Sequence, residues 1–166
     1  MTMIAIRSTV VLLTLLSGTV HAEVVQGRVV GITDGDTLTL LDATNRQHEI
    51  RLAGIDAPEK AQVFGQKAKQ SLSTLAFEQQ ATADCRKRDR YRQEICVVTV
   101  AGKDVGLEQV RAGMAWWYRQ FITAQTIEER AAYEQAESSA KTGRRGLWNG
   151  LDQTPPWEWR HRKLEE

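Results

Sequence analysis

Between Asp34 and Glu59 the chain reads DGDTLTLLDATNRQHEIRLAGIDAPE, with Asp36, Arg51, Asp56 and Glu59 at places where a plain β-hairpin needs no charge. Leu38 and Leu40 alternate with Thr37 and Thr39, and Ile50 and Leu52 alternate with Glu49 and Arg51, so both runs read as half-buried strands of period two. Asp34-Gly35 reads as a tight turn and 42–47 as the connecting loop, which brings the Asp36 end of one strand near Asp56 beyond the next. Carboxylates converging in this way suit a hard cation such as calcium. With His48 the only His or Cys in the stretch, zinc and copper fit poorly. Arg51, on the face opposite Ile50 and Leu52, then matches a phosphate. Taken alone, Asp34-Gly35-Asp36 is explained by turn chemistry as a surface turn. The weight comes from the residues that follow it.

Residues 1–22 place Arg7 ahead of an apolar run from Val10 to Leu16, and Val20-His21-Ala22 offers small residues at the positions a signal peptidase reads. That predicts a signal peptide cut before Glu23 and a secreted or periplasmic protein. The run is too short to span a bilayer, so no membrane association is expected after its removal. The leader holds one of the 22 Lys and Arg and none of the 21 Asp and Glu, so the remainder is balanced at 21 of each. With no overall positive field, affinity for a polyanion has to come from local patches. The densest is Arg86-Lys87-Arg88-Asp89-Arg90-Tyr91-Arg92. Lys141 with Arg144 and Arg145, and Arg160-His161-Arg162-Lys163, are two others that read equally well as solvated charge runs.

Three more strands are expected, at 24–32, 82–85 and 94–100, the last two joined by the basic segment. Phe64, Ala68, Leu72 and Leu75 recur at helical spacing and predict a helix over 62–77. A second helix over 105–112 stops at Gly113, and a capping box at Thr126 and Glu129 starts a third that ends by Gly143. Two of the aromatics among Trp116, Trp117, Tyr118 and Phe121 are expected in the core, and 146–160 is expected as an extended strap anchored by tryptophans. The fold class is α+β, mainly β: a five-stranded OB-fold Greek-key barrel with three α-helices, over residues 23–160, followed by a polar tail at 161–166. Cys85 and Cys96 are the only cysteines, flank the basic loop and follow a leader for an oxidising compartment, so a disulfide is expected, the alternative being two buried thiols. A monomer is expected.

Asp34-Gly35-Asp36-Thr37, then Arg51-Leu52, then Ile55-Asp56-Ala57-Pro58-Glu59 resembles the first signature of the staphylococcal (micrococcal) nuclease family. Asp89-Arg90-Tyr91 resembles its second motif, Val110-Arg111-Ala112-Gly113 the end of its second helix, and Gly146-Leu147-Trp148 the turn closing its third. The resemblance covers about 24–160. It implies an OB-fold barrel with three helices and a secreted phosphodiesterase that cuts DNA and RNA using calcium and leaves 3'-phosphate ends.

Under that resemblance Asp36, Asp56 and the Ala57 carbonyl hold the cation, Glu59 takes a proton from the attacking water, and Arg51 meets the charge that builds on the phosphate. Arg90 and Tyr91 match the pair that grips a neighbouring phosphate. One position departs. The family reads Tyr-Gly-Arg where this chain has Tyr91-Arg92-Gln93, so Gln93 occupies the place of a second cationic group, and a β-bulge between Arg90 and Glu94 would turn Arg92 toward the site instead. The rival from another class is a catalytically weakened OB-fold module that binds single-stranded nucleic acid through its basic segment and aromatics.

Overall fold

The computed structural model describes residues 23–88, 93–150 and 153–165; the predicted leader and Asp89, Arg90, Tyr91 and Arg92 lie outside them. Strands β1 (Glu23–Ile32), β2 (Thr37–Asp42) and β3 (Gln47–Leu52) form an antiparallel meander. The short β4 (Ile55–Asp56) and helix α1 (Gly65–Ala76) follow, and then the antiparallel pair β5 (Gln80–Arg88) and β6 (Glu94–Val100). After β7 (Lys103–Asp104) come α2 (Val105–Arg111), β8 (Trp116–Trp117), a 3-10 segment at Arg119–Ala124 and α3 (Ile127–Thr142). A second 3-10 turn at Gly146–Asn149 leads to α4 (Pro156–Glu165).

Five strands lie in the order β3-β2-β1-β5-β6, and β6 returns to pair with β3 in parallel, so the sheet closes on itself. Closure removes the free edges that an open sheet would expose. The period-two pattern sets what fills it: Leu38, Leu40 and Ile50 are fully buried with Val29, Val98 and the α1 residue Leu72. This is the expected OB-type barrel. The Cys85–Cys96 disulfide is also present, staples β5 to β6, and its two cysteines are paired partners in the strand register. Among the described residues no helix is long and apolar enough to cross a membrane.

Two expectations about the C-terminus are corrected. Within the expected strap, Gly146–Asn149 forms a 3-10 turn and Pro156 starts a fourth helix, and residues 161–165 continue that helix rather than trail as a polar tail. The reason is where the prolines fall. Pro156 is the first residue of α4, where a missing N–H costs nothing and the fixed φ suits the helix. The Trp159 N–H already donates to the Pro155 carbonyl at 3.0 Å. A Pro-Pro-Trp run read as extended is here a helix start.

Behind the barrel, α3 is fixed at three points. The predicted capping box at Thr126 and Glu129 forms, with Glu129 N–H on Thr126 Oγ1 at 3.1 Å and Thr126 N–H on Glu129 Oε2 at 2.9 Å. The Tyr133 hydroxyl donates to Asp104 Oδ2 at 2.8 Å, and Asp104 itself caps α2. Glu137 is buried, yet its carboxylate accepts from the Trp117 N–H at 3.1 Å, Arg119 Nη2 at 3.0 Å and Lys141 Nζ at 2.9 Å. Burial pushes its carboxyl upward, and the hydrogen bonds and charges of Lys141 and Arg119 outweigh that and hold it below the usual range.

Glu137→Ala strands the Trp117 N–H while leaving Arg119 and Lys141 partly in water, so we expect a loss of about 1–3 kcal/mol in urea denaturation. A depressed carboxyl stabilises the fold above its unfolded value and loses that contribution as pH falls through the folded one. The deficit of the variant should therefore shrink on acidification. A deficit that grows with acid would contradict this role for Glu137.

Candidate active site

The turn that carries Asp36 is built by its own side chains and by helix packing. Asp34 Oδ1 accepts the Asp36 N–H at 3.0 Å, and the buried Gln109 of α2 donates Nε2 to the Gly35 carbonyl at 2.8 Å and to the Ala68 carbonyl of α1 at 3.0 Å. Gly35 is required by closeness rather than by its dihedral: a Cβ there would lie 2.6 Å from the Ala68 methyl and 2.7 Å from that of Ala57. The turn is therefore pressed against α1 and the chain after β4. From it, Asp36 Oδ2 accepts the Ala57 N–H at 2.8 Å and Oδ1 accepts the Thr37 hydroxyl at 3.0 Å.

Asp56 reaches the same place by a separate route. β4 pairs with β8, setting Asp56 opposite Trp116 and Ile55 opposite Trp117, whose N–H is the one held by Glu137. Arg51 points from β3 into the gap. Its Nη2 lies 3.0 Å from Asp56 Oδ1 and 3.7 Å from Asp36 Oδ2, so one nitrogen faces an oxygen of each buried acid. Glu59 sits half-exposed at the rim. Its backbone is pinned by the turn that follows, where Gln62 N–H donates to the Glu59 carbonyl at 2.8 Å and Gly65 packs so closely on that carbonyl that any Cβ would collide. Asp36, Arg51, Asp56, Glu59 and Gln93 line a cavity of about 140 Å³.

The structure brings Asp36, Arg51, Asp56, Ala57 and Glu59 together around one cavity. Arg90, Tyr91 and Arg92 lie outside the described residues. Gln93 stands at the rim and donates Nε2 to Glu49 Oε1 at 2.8 Å. The bulge that β5 does show lies between Cys85 and Lys87, one step after the disulfide. Two basic runs lose members to internal pairing: Arg86 grips Glu129 through two bonds of 2.9 and 2.7 Å, and Lys141 holds Glu137.

Sequence reasoning missed one residue. Arg160 of α4, read from sequence only as a member of a basic run that fits a nucleic-acid patch and a solvated face equally well, places Nη2 2.6 Å from Asp56 Oδ2 and Nη1 3.1 Å from Asp56 Oδ1 and 2.8 Å from Glu59 Oε1. The available signal was its spacing from Trp157, three residues along one helix face.

The donor set fits a hard cation. Two buried carboxylates present oxygens to one point, and that point already attracts a positive nitrogen. Burial pushes the Asp36 carboxyl up to about 7, with Asp34 and Asp56 adding repulsion and Arg51 opposing both. For Arg51, burial works against the charge, but Asp36 and Asp56 hold its proton more tightly than usual. The cluster is thus short of positive charge. An acid whose folded value is raised keeps its proton better in the fold than in the unfolded chain, so its ionisation erodes stability as pH rises toward that value. Asp36→Asn should therefore raise the Tm of the cation-free protein near pH ~8, and the gain should shrink on acidification and vanish only below the unfolded carboxyl value, where both states hold the proton. A difference independent of pH would contradict this electrostatic reading.

Residues 49–150 match the family model described as staphylococcal nuclease homologue. Over 136 residues, 82% of this chain and 73% of the relative, the sequence is 40% identical to a protein of Haemophilus influenzae named "Uncharacterized endonuclease". A protein of Shigella flexneri named "Micrococcal nuclease" is 38% identical over 145 residues, 81% of this chain and 80% of the relative. An Escherichia coli protein named "Protein ParB" is 35% identical over 147 residues, 81% of this chain and 78% of the relative. With the matched segment running from β3 to the turn before α4, the chain belongs to the staphylococcal nuclease family and is a nuclease, a phosphodiester hydrolase.

Proposed function

We propose that this chain is a secreted or periplasmic, calcium-dependent endonuclease that hydrolyses phosphodiester bonds of DNA and RNA and leaves 3'-phosphate ends. The observation that carries the reading is the pair of buried carboxylates, Asp36 and Asp56, on either side of one Arg51 nitrogen, with Glu59 at the rim. Asp36 and Asp56, with the Ala57 carbonyl, are the residues to hold calcium; bound there, the ion would supply positive charge that neutralises and orients the scissile phosphate. The Glu59 carboxylate takes a proton from a water on the far side of phosphorus from the leaving group. The water oxygen bonds to phosphorus, the bond from phosphorus to the 5' oxygen breaks, that oxygen takes up a proton from solvent, and the phosphate stays on the 3' oxygen.

Arg51 donates its planar fork to the equatorial oxygens, where charge rises in the transition state. Its pairing with Asp36 and Asp56 keeps it charged and pointed inward before substrate arrives. Arg90 and Tyr91 grip a neighbouring phosphate in this reading. Arg92 is the hairpin's own candidate for the second cationic group, because Gln93 carries no charge.

Digestion of plasmid DNA in calcium, with chelator as the control, tests the assignment. Glu59→Gln and Arg51→Ala should each lower turnover about 10²- to 10³-fold with the fold intact by circular dichroism, since each loses an interaction with the reacting groups. Asp36→Ala should in addition weaken calcium binding in calorimetry. Digestion equally fast in chelator would remove the cation from the account. Tight binding of single strands with no digestion at all would favour the binding-module reading.

A further inference from the structure

We propose that Arg160 is a second phosphate-binding arginine of this active site, delivered from α4 and held in readiness on Asp56 and Glu59. The inference rests on the nuclease reading of the pocket. An isolated surface pair would attract little notice, since such pairs contribute almost nothing. Arg160 instead makes three bonds of 2.6–3.1 Å to two acids, one of them 1% exposed, and both acids belong to the pocket that faces the substrate.

The helix that carries it is aimed. Pro156 is buried at the helix start, and the Trp157 ring lies 6.4 Å from that of Trp116 and 5.5 Å from that of Tyr118. Trp116 in turn pairs with Asp56 across β4 and β8, so the docking point of α4 and the carboxylate it serves are strand partners. Ahead of the helix, the Thr154 carbonyl accepts from Gln62 Nε2 at 2.5 Å, and Gln62 also accepts the Glu59 N–H at 3.2 Å. Trp157 and Arg160, three residues apart, share a helix face, so seating the tryptophan turns the guanidinium into the pocket.

Charge explains what it does there. Asp34, Asp36, Asp56 and Glu59 stand around the cavity against Arg51, so an incoming phosphate meets more negative charge than positive. Arg160 corrects that. Its flexible stem lets the fork move from carboxylate to phosphate oxygens at the same rim, an exchange of one bidentate anion for another. A cation held by Asp36 and Asp56 competes with Arg160 for the Asp56 oxygens, which favours that move. Gln93 contributes no charge at the rim, and α4 brings a guanidinium to it from the C-terminal end of the chain.

The test uses the full mature chain, its disulfide intact, with Arg160→Ala and Arg160→Lys. Turnover of a single-stranded oligodeoxynucleotide in saturating calcium, calcium affinity without nucleic acid, and Tm are measured on each. Arg160→Ala should lose about 10²-fold in kcat while binding calcium more tightly, and Arg160→Lys should recover little of the rate because a point charge lacks the fork. Higher turnover in Arg160→Ala would make α4 a lock rather than a catalytic arm, and unchanged turnover would leave Arg160 a passive pair; either overturns the proposal. So would a full loss in Arg92→Ala with none in Arg160→Ala. If the alanine variant fails to fold, the lysine variant decides: a folded Arg160→Lys at full speed also overturns it. Glu59→Gln runs alongside. Full activity there breaks the reading of the pocket itself, whereas its collapse beside an active Arg160→Ala breaks this inference alone.

Discussion

Like charges held out of water repel, and Asp36 and Asp56 are kept buried beside each other with one arginine nitrogen facing both. That arrangement is costly on its own. Much of the fold serves to impose it. The barrel closes where β3 meets β6, which fixes Arg51 opposite Ile95. Gln109 of α2 holds the Asp36 turn down onto α1, and the β4–β8 pairing holds Asp56, with α3 behind it through Glu137. Each acid is thus positioned by a different part of the core. Neither can relax away from the other without breaking a buried hydrogen bond.

This division accounts for features a binding module would not need. A barrel that only stacked bases would gain stability by replacing Asp36, whose charge burial disfavours, with a neutral residue. Here both acids are retained, and their backbone surroundings are fitted to them: the Ala57 N–H points at Asp36, and Gly35 leaves room for Ala57 and Ala68. The disulfide between Cys85 and Cys96 lies on strand β6 at the residue paired with Leu52, next to Arg51. Closing a loop of that size contributes about 2–3 kcal/mol by the chain-entropy argument and steadies the strand on which the barrel seam depends.

Much of the site was legible in the sequence because strands expose their period directly. Alternation at Leu38, Leu40, Ile50 and Leu52 oriented Arg51 away from the core, and the spacing from Asp36 to Glu59 brought the acids together. The roles of those acids came from family resemblance rather than from spacing. What escaped was set by contacts distant in the chain. Gly35 looked like a turn glycine, but its need is the two alanines it touches, one of them in α1. Glu137 carries no sequence signal of its own, and only the fold brings Trp117 and Arg119 to it. Arg160 stands 104 residues from Asp56, behind a Pro-Pro pair that suggested extended chain and instead opened a helix. Composition likewise does not reveal that Arg86 of the densest basic run is committed to Glu129.

The central claim is that the space around Arg51, between Asp36 and Asp56, is where cation and scissile phosphate meet. A crystal structure of the protein grown with calcium and a nucleotide phosphate tests it most directly. The account predicts calcium coordinated by oxygens of both Asp36 and Asp56 at ~2.3–2.6 Å, with the phosphate bridging that ion and the Arg51 guanidinium and Glu59 facing a water beside it. Calcium bound elsewhere with Arg51 still locked on Asp56, or a nucleotide seated on the aromatics of α4 and β8 with the carboxylate pocket untouched, would contradict it.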